Sequence, residues 1–171
     1  MRCIADTAPQ LNPSSGVPAS PNPRSVTLRE FRPRDVPHIA LIVAEALHEH
    51  YDNSLYLSLG QQWPEGFLIA ADETDRPVGF LLGVSQIEGE ARILMFAVDR
   101  DWRVRGFGQH LMETFLERAV GRGMRRVTLE VRVSNATAIR FYTRFRFSVT
   151  DLLRGYYSDG ENGYQMARDV P

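Results

Sequence analysis

The richest chemistry in the sequence lies in the stretch Val98-Asp99-Arg100-Asp101-Trp102-Arg103-Val104-Arg105-Gly106-Phe107-Gly108. An apolar run from Ile93 to Val98 leads into it and reads as a buried strand. Phe107, Leu111, Phe115 and Ala119 follow at intervals of four, the spacing of one helical face. Gly106 and Gly108 would let the backbone turn tightly and come close to a ligand. The first turn of a helix presents unpaired N–H groups at the positive end of its dipole, which suits a phosphate. The stretch therefore reads as a pyrophosphate cradle between a strand and a helix, although a Gly-x-Gly at a helix start serves ordinary turns equally well. It is not the dinucleotide fingerprint, because Leu111 occupies the third glycine position. It is not a P-loop, because the chain has no lysine. Arg105 to Gly108 imitates the start of an RNA-recognition strand, but Gln109-His110-Leu111-Met112 breaks that pattern.

Two further side chains could transfer protons. Glu130 lies in a strand pattern, Arg126 to Val133, in which Val127, Leu129, Val131 and Val133 share one face and Thr128, Glu130 and Arg132 the other. Such a glutamate is ordinarily solvated or paired with an arginine, here Arg132. Tyr142 falls in the helix that follows, where a tyrosine is ordinarily core with a satisfied hydroxyl. His48 and His50, two apart at the end of an earlier helix, point to different sides and make no metal pair. Cys3 is the single cysteine, so no internal disulfide can form.

The elements that must position these groups can be read in order. Residues 1–24 hold five of the ten prolines and read as a disordered tail, leaving 25–171 as one domain. Ser25 to Phe31 reads as a strand, followed by a helix with Asp35 as N-cap and Ile39, Ile42, Val43 and Ala46 on its buried face. Ser54 to Leu59 reads as a short helix stopped by Gly60 and Pro64. Three strands follow, Phe67 to Ala71, Pro77 to Gln86 and Ala91 to Val98, and their tight connections make them antiparallel neighbours. The cradle helix ends near Arg122, with Gly123 just beyond. Its crossover to Arg126–Val133 implies that the flanking strands are parallel. Ser134-Asn135 caps a helix from Ala136 to about Phe145, and Phe147 to Leu153 pairs with Tyr164 to Ala167. The expected fold is α/β (α+β): a mixed, mostly antiparallel sheet with one central parallel pair, flanked by helices.

A net charge of −1 hides an asymmetry. Residues 1–99 carry seven arginines against thirteen acids, whereas residues 100–154 carry twelve against five. The basic block begins at the cradle, which suits a polyanionic ligand, and an arginine-rich solvated face reads equally well. Nothing approaches a membrane span and the N-terminus has no signal-peptide core, so the expected location is cytoplasmic.

Arg103-Val104-Arg105-Gly106-Phe107-Gly108 resembles the R/Q-x-x-G-x-G/A signature of the GNAT superfamily of acyl-CoA-dependent N-acetyltransferases. A more specific resemblance, to RimI-type and other protein N-terminal acetyltransferases, lies in Leu129-Glu130-Val131-Arg132-Val133-Ser134-Asn135, Ala138-Ile139 and Tyr142. It continues in Gly155-Tyr156-Tyr157-Ser158-Asp159-Gly160-Glu161 and Tyr164-x-Met166. The resemblance spans about residues 25–170 and implies the GNAT fold and acetyl-CoA as acyl donor. It implies that Arg103, Val104, Arg105, Gly106, Phe107, Gly108 and Gln109 hold the coenzyme A pyrophosphate. Phe96, Ala97 and Val98 would pair with the pantetheine arm through their backbone, and Asn135 would contact the coenzyme. Glu130 would be the general base, acting through water, and Tyr142 the general acid. Tyr156 and Tyr157 would line a slot for the N-terminus of a protein or peptide substrate. Ribosomal proteins are among the substrates so implied; neither a membrane nor direct nucleic-acid contact is. A small-amine acetyltransferase and a non-catalytic acyl-CoA-binding module are the rival readings.

Three positions depart from that pattern. Arg146 stands where the group has Gly before the Phe that opens a strand; in a left-handed conformation Arg costs roughly 1 kcal/mol more than Gly, enough to rearrange the helix end and re-aim Tyr142. Asn162 and Gly163 replace the usual Asp and Ala beside the substrate slot.

Overall fold

Seven strands form one sheet in the order β1-β2-β3-β4-β5-β7-β6 in the computed structural model, which describes residues 25–47, 50–103 and 105–171. The proposed tail at 1–24 with Cys3, as well as His48, Glu49 and Val104, lie outside the described residues. The strands are β1 (Thr27–Glu30), β2 (Phe67–Ala71), β3 (Pro77–Ile87), β4 (Glu90–Val98), β5 (Arg126–Arg132), β6 (Ser148–Leu153) and β7 (Gly163–Asp169). Four α-helices complete it: α1 (Val36–Leu47), α2 (Asn53–Gln62), α3 (Phe107–Gly121) and α4 (Ala136–Arg144). Every neighbouring pair is antiparallel except β4 with β5. The mixed sheet with a single central parallel pair is the one expected.

Each face of the sheet carries its own core. Leu111, Met112, Phe115 and Ala119 of α3 and Ala138, Phe141 and Tyr142 of α4 pack on one face, with Ile93, Phe96, Val127, Leu129 and Val131 from the strands. Ile39, Ile42, Val43 and Leu47 of α1 and Tyr56 and Leu59 of α2 cover the other, against Phe67, Phe80, Leu82, Leu94, Met95 and Ala97. Leu94 and Met95 are consecutive yet lie on the same face, which a regular strand forbids. The cause is a bulge: Ile93 pairs with Gly83 and Met95 with Leu82, so Leu94 is extra. A bulge bends its strand. Pairing of β4 with β5 accordingly stops at Ile93 and Leu129, although both strands continue, and a notch opens between them.

Several local expectations are corrected. Asp35 is not an N-cap; it closes a 3-10 turn, Pro33–Asp35, and its carboxylate accepts from the Arg32 N–H at 2.8 Å and from the Arg29 guanidinium at 2.7 and 2.9 Å. Leu47, rather than the half-buried Ala46, completes the buried face of α1. Helix α2 starts at Asn53, capped by Asp52 accepting from the Ser54 N–H, and runs through Gly60 to Gln62. A Cβ at Gly60 would lie 2.6 Å from Phe31 Cδ1, so the glycine lets the helix approach the stacked Phe31–Phe67 rings rather than ending it.

Arg146 does adopt a left-handed conformation, at φ 63°. The helix end is nevertheless regular: the Arg146 N–H donates to Thr143 O at 2.9 Å and the Phe147 N–H to Tyr142 O at 3.1 Å. These are the two bonds of a Schellman cap, so the arginine bears the conformational cost without unravelling the turn that follows Tyr142.

Candidate active site

The notch lies at the carboxyl ends of the two parallel strands, the side on which α/β sheets bind ligands. Beyond Ile93, the edge of β4 that faces β5 has no strand partner among the described residues, and Phe96, Ala97 and Val98 lie on this stretch. Their side chains are buried alternately in the two cores, with Phe96 against Phe141 at 5.6 Å between ring centroids.

The loop after β4 contains a short 3-10 turn, Arg100–Trp102, and enters α3 through Gly106. Gly106 is the N-cap at φ 83°, and no side chain caps the helix among the described residues. The first-turn N–H groups of Phe107, Gly108 and Gln109 thus stand at the positive end of the helix dipole. The two glycines act differently. Gly106 supplies a left-handed turn in open space, whereas a Cβ at Gly108 would sit 3.3 Å from Phe96 Cζ, so Gly108 lets α3 close onto β4. Arg103 Nε donates to Val98 O at 2.9 Å, tying the loop to the strand end. Burial holds the Arg103 proton affinity below the ordinary arginine value; Asp99 opposes this and Arg100 adds to it. Arg105 lies 6.0 Å over the Trp102 ring. Cation, glycine turn and uncapped helix together fit the pyrophosphate of a coenzyme. Beside Arg103, a cleft of about 530 Å³ is lined by Ile42, Glu45, Ala46, Asp99, Arg100 and Arg103.

Val127, Leu129 and Val131 point into the α3/α4 core, so Thr128, Glu130 and Arg132 face the α1/α2 side. Glu130 is only 3 % exposed and is the first residue of β5 past the last β4–β5 pair. Its partner is Arg92 of β4, not Arg132. Arg92 Nε and Nη2 both donate to Glu130 Oε2, at 3.1 and 3.0 Å, leaving Oε1 outside the pair. Arg92 Nη2 also donates to the Tyr156 hydroxyl at 3.1 Å.

Arg132 instead anchors the β6–β7 connection. Its Nη1 donates to Asp159 and Glu161, each at 2.8 Å, and its guanidinium lies 4.0 Å over the Tyr157 ring. Glu161 also accepts the Ser134 N–H at 3.0 Å, joining the connection to the start of α4. These bonds hold the Asp159 and Glu161 carboxyls below their usual range: the Glu161 backbone N–H leads for Asp159, and Ser134 followed by Arg132 for Glu161. Tyr156 and Tyr157 meet edge to face at 5.2 Å. A Cβ on Gly163 would press to 3.3 Å on both rings, so the glycine makes room for the pair. Asn162 Oδ1 accepts the Gly155 N–H at 2.8 Å and closes the same connection. Gly163 thus lies against both tyrosines, and Asn162 closes the connection that carries them.

Tyr142 is fully buried on the opposite face, edge-on to Phe141 and Phe147. Asn135 is the N-cap of α4, its Oδ1 accepting the Ala138 N–H at 2.9 Å. The structure thus brings Glu130, Tyr156 and Tyr157 together on the α1/α2 side. The cradle and Asn135 lie at the ends of β4 and β5, and Tyr142 lies behind the sheet. Sequence reasoning missed Arg92, whose signal was its place as the single charge in the apolar run Ala91 to Val98.

Comparison with known proteins bears on the family and the fold. Residues 30–147 match the model of the acetyltransferase (GNAT) family. An uncharacterized N-acetyltransferase of Methanocaldococcus jannaschii is 35% identical over 84% of this chain and 92% of its own. An N-alpha-acetyltransferase of Saccharolobus solfataricus is 29% identical over 86% and 95%. The crystal structure of Ard1 from Thermoplasma volcanium superposes with a TM-score of 0.82 at 42% identity, over 85% of this chain and 98% of that one. The chain belongs to the GNAT acetyltransferase family. Among the described residues, no helix is long and apolar enough to cross a membrane.

Proposed function

We propose that this enzyme acetylates the N-terminal α-amine of proteins or peptides in the cytoplasm, ribosomal proteins among them. The observation that carries the reading is the position of Glu130: a buried carboxylate at the mouth of the β4–β5 notch, bonded through Arg92 to the tyrosine pair. Acetyl-CoA supplies an activated acyl group. Arg103, Arg105 and the amides of residues 106–109 hold its pyrophosphate, Val104 and Asn135 contribute to the same site, and the free edge of Phe96-Ala97-Val98 takes its pantetheine arm.

An α-amine titrates near about 7.7–8.0, so a carboxylate acting through one water suffices to free its lone pair. Glu130 takes that proton on the α1/α2 face. Tyr142, on the far face, donates its phenolic proton to the departing thiolate. The sheet thus separates base from acid, and the notch lets the reacting atoms meet between them. Tyr156 and Tyr157 wall the slot through which the N-terminus arrives.

The test is acetyl transfer from acetyl-CoA to a panel of free-amine peptides, each paired with an N-terminally blocked, lysine-containing twin and read by mass spectrometry. Transfer confined to free N-termini, and lost in Glu130→Gln, is the expected result. Transfer to small amines alone would overturn the protein-substrate reading.

A further inference from the structure

We propose that Arg92 is a positioning residue for the reaction, joining the base and the wall of the substrate slot through one guanidinium. The inference rests on the reading of Glu130 as base. Strand register places Arg92 opposite Thr128, two residues before the bulged Leu94. From there its side chain reaches forward to Glu130, across the point where the two strands separate. Both bonds converge on Oε2, which orients the carboxylate and keeps Oε1 out of the ion pair.

The same Nη2 holds the Tyr156 hydroxyl at 3.1 Å. Tyr156 belongs to the β6–β7 connection, 64 positions away in the chain, so nothing local fixes it relative to β4. One planar fork with several donors can serve a carboxylate and a phenol at once, whereas an ammonium on a flexible stem cannot hold both in a fixed plane. With Glu130 buried and Arg92 itself about a quarter exposed, the pair lies at the boundary between core and surface. The aim of the base and the position of the slot wall are therefore set together.

The experiment is a kinetic double-mutant analysis of the full chain with the best peptide of the panel. It uses Arg92→Gln, Arg92→Lys, Tyr156→Phe and Glu130→Gln, singly and combined. Loss of hydrogen bonds to a charged group predicts a fall in kcat of roughly 10- to 100-fold for Arg92→Gln, with acetyl-CoA affinity unchanged. In the Glu130→Gln background, removing Arg92 should cost less than about three-fold, because the group it aims is already disabled. Tyr156→Phe removes one hydroxyl and should lower kcat about three- to ten-fold alone, with no further loss in the Arg92→Gln background. Arg92→Lys keeps the charge without the fork and should remain at least about five-fold below wild type. If Arg92→Gln fails to fold, the lysine and Tyr156→Phe variants decide. Multiplicative losses, or an unchanged kcat in the Arg92 variants, overturn the positioning role. A fully active Glu130→Gln enzyme overturns the reading of Glu130 as base instead, and is distinguishable from either.

Discussion

Two arginine–carboxylate networks stand at different places in this molecule, and they are built to opposite ends. At the β1 edge, Asp75 in the β2–β3 turn receives Arg29, Arg32 and Arg34, while Asp35 receives both terminal nitrogens of Arg29. All four carboxylate oxygens there are engaged. At the notch, Arg92 meets Glu130 through one oxygen only. A saturated network has nothing left to offer a reactant and serves to fasten three chain segments together. Among the described residues, the network at the notch leaves Glu130 Oε1 out of the ion pair, beside aromatic side chains and the edge of β4 beyond its ladder with β5. The same residue types thus read as structure or as chemistry according to how many of their bonds are already taken.

This contrast sets a descending series of effects. Glu130→Gln should lower kcat/KM by about 10²- to 10⁴-fold, the usual worth of a positioned base, with acetyl-CoA affinity by calorimetry unchanged. A residual rate within three-fold of wild type would erase the distinction between the two networks. Arg132→Gln should act on binding: freeing the tyrosine connection from Asp159, Glu161 and the ring of Tyr157 should raise the peptide KM about ten-fold and alter kcat less. Steady-state kinetics with the same peptide separate the two constants.

The smallest effect on activity belongs to Asp75→Asn, within about two-fold, since nothing in that network reaches the notch. Its signature lies in acid stability instead. The Arg29 hydrogen bond, reinforced by the charges of Arg29, Arg32 and Arg34, holds the Asp75 carboxyl below its usual range against desolvation. A carboxyl depressed in the folded state contributes stability that is fully present above its unfolded pKa of about 3.9 and is lost as pH falls through the lower folded value. The wild-type melting temperature should therefore fall more steeply below about pH 4 than that of the asparagine variant. Parallel acid limbs would mean that the edge network is not fastening these segments.

Much of the fold and of the cradle is legible in the sequence alone. Helical spacing from Phe107 to Ala119, alternation from Val127 to Val131, and Asn135 ahead of Ala136 are local signals, and local rules read them correctly. The cradle is visible because its parts are contiguous. Pairings across the sheet are not: Arg92 and Glu130 are 38 positions apart and meet only through the register of β4 and β5. Arg132, two residues along, offers Glu130 a plausible partner in sequence, but it is drawn to the β6–β7 connection. The bulge is hidden for another reason. Ile93-Leu94-Met95-Phe96 is apolar throughout, so with both faces of the sheet buried no polar residue marks where the alternation slips.

That slip also leaves the sheet with a seam. Among the described residues the β4–β5 ladder joins β1–β4 to β5–β7 through four residue pairs and stops beyond Ile93 and Leu129. An acyl donor lying along the free edge of β4 would act as the missing rungs of this ladder, mending across the divide the continuity that the extra residue removes.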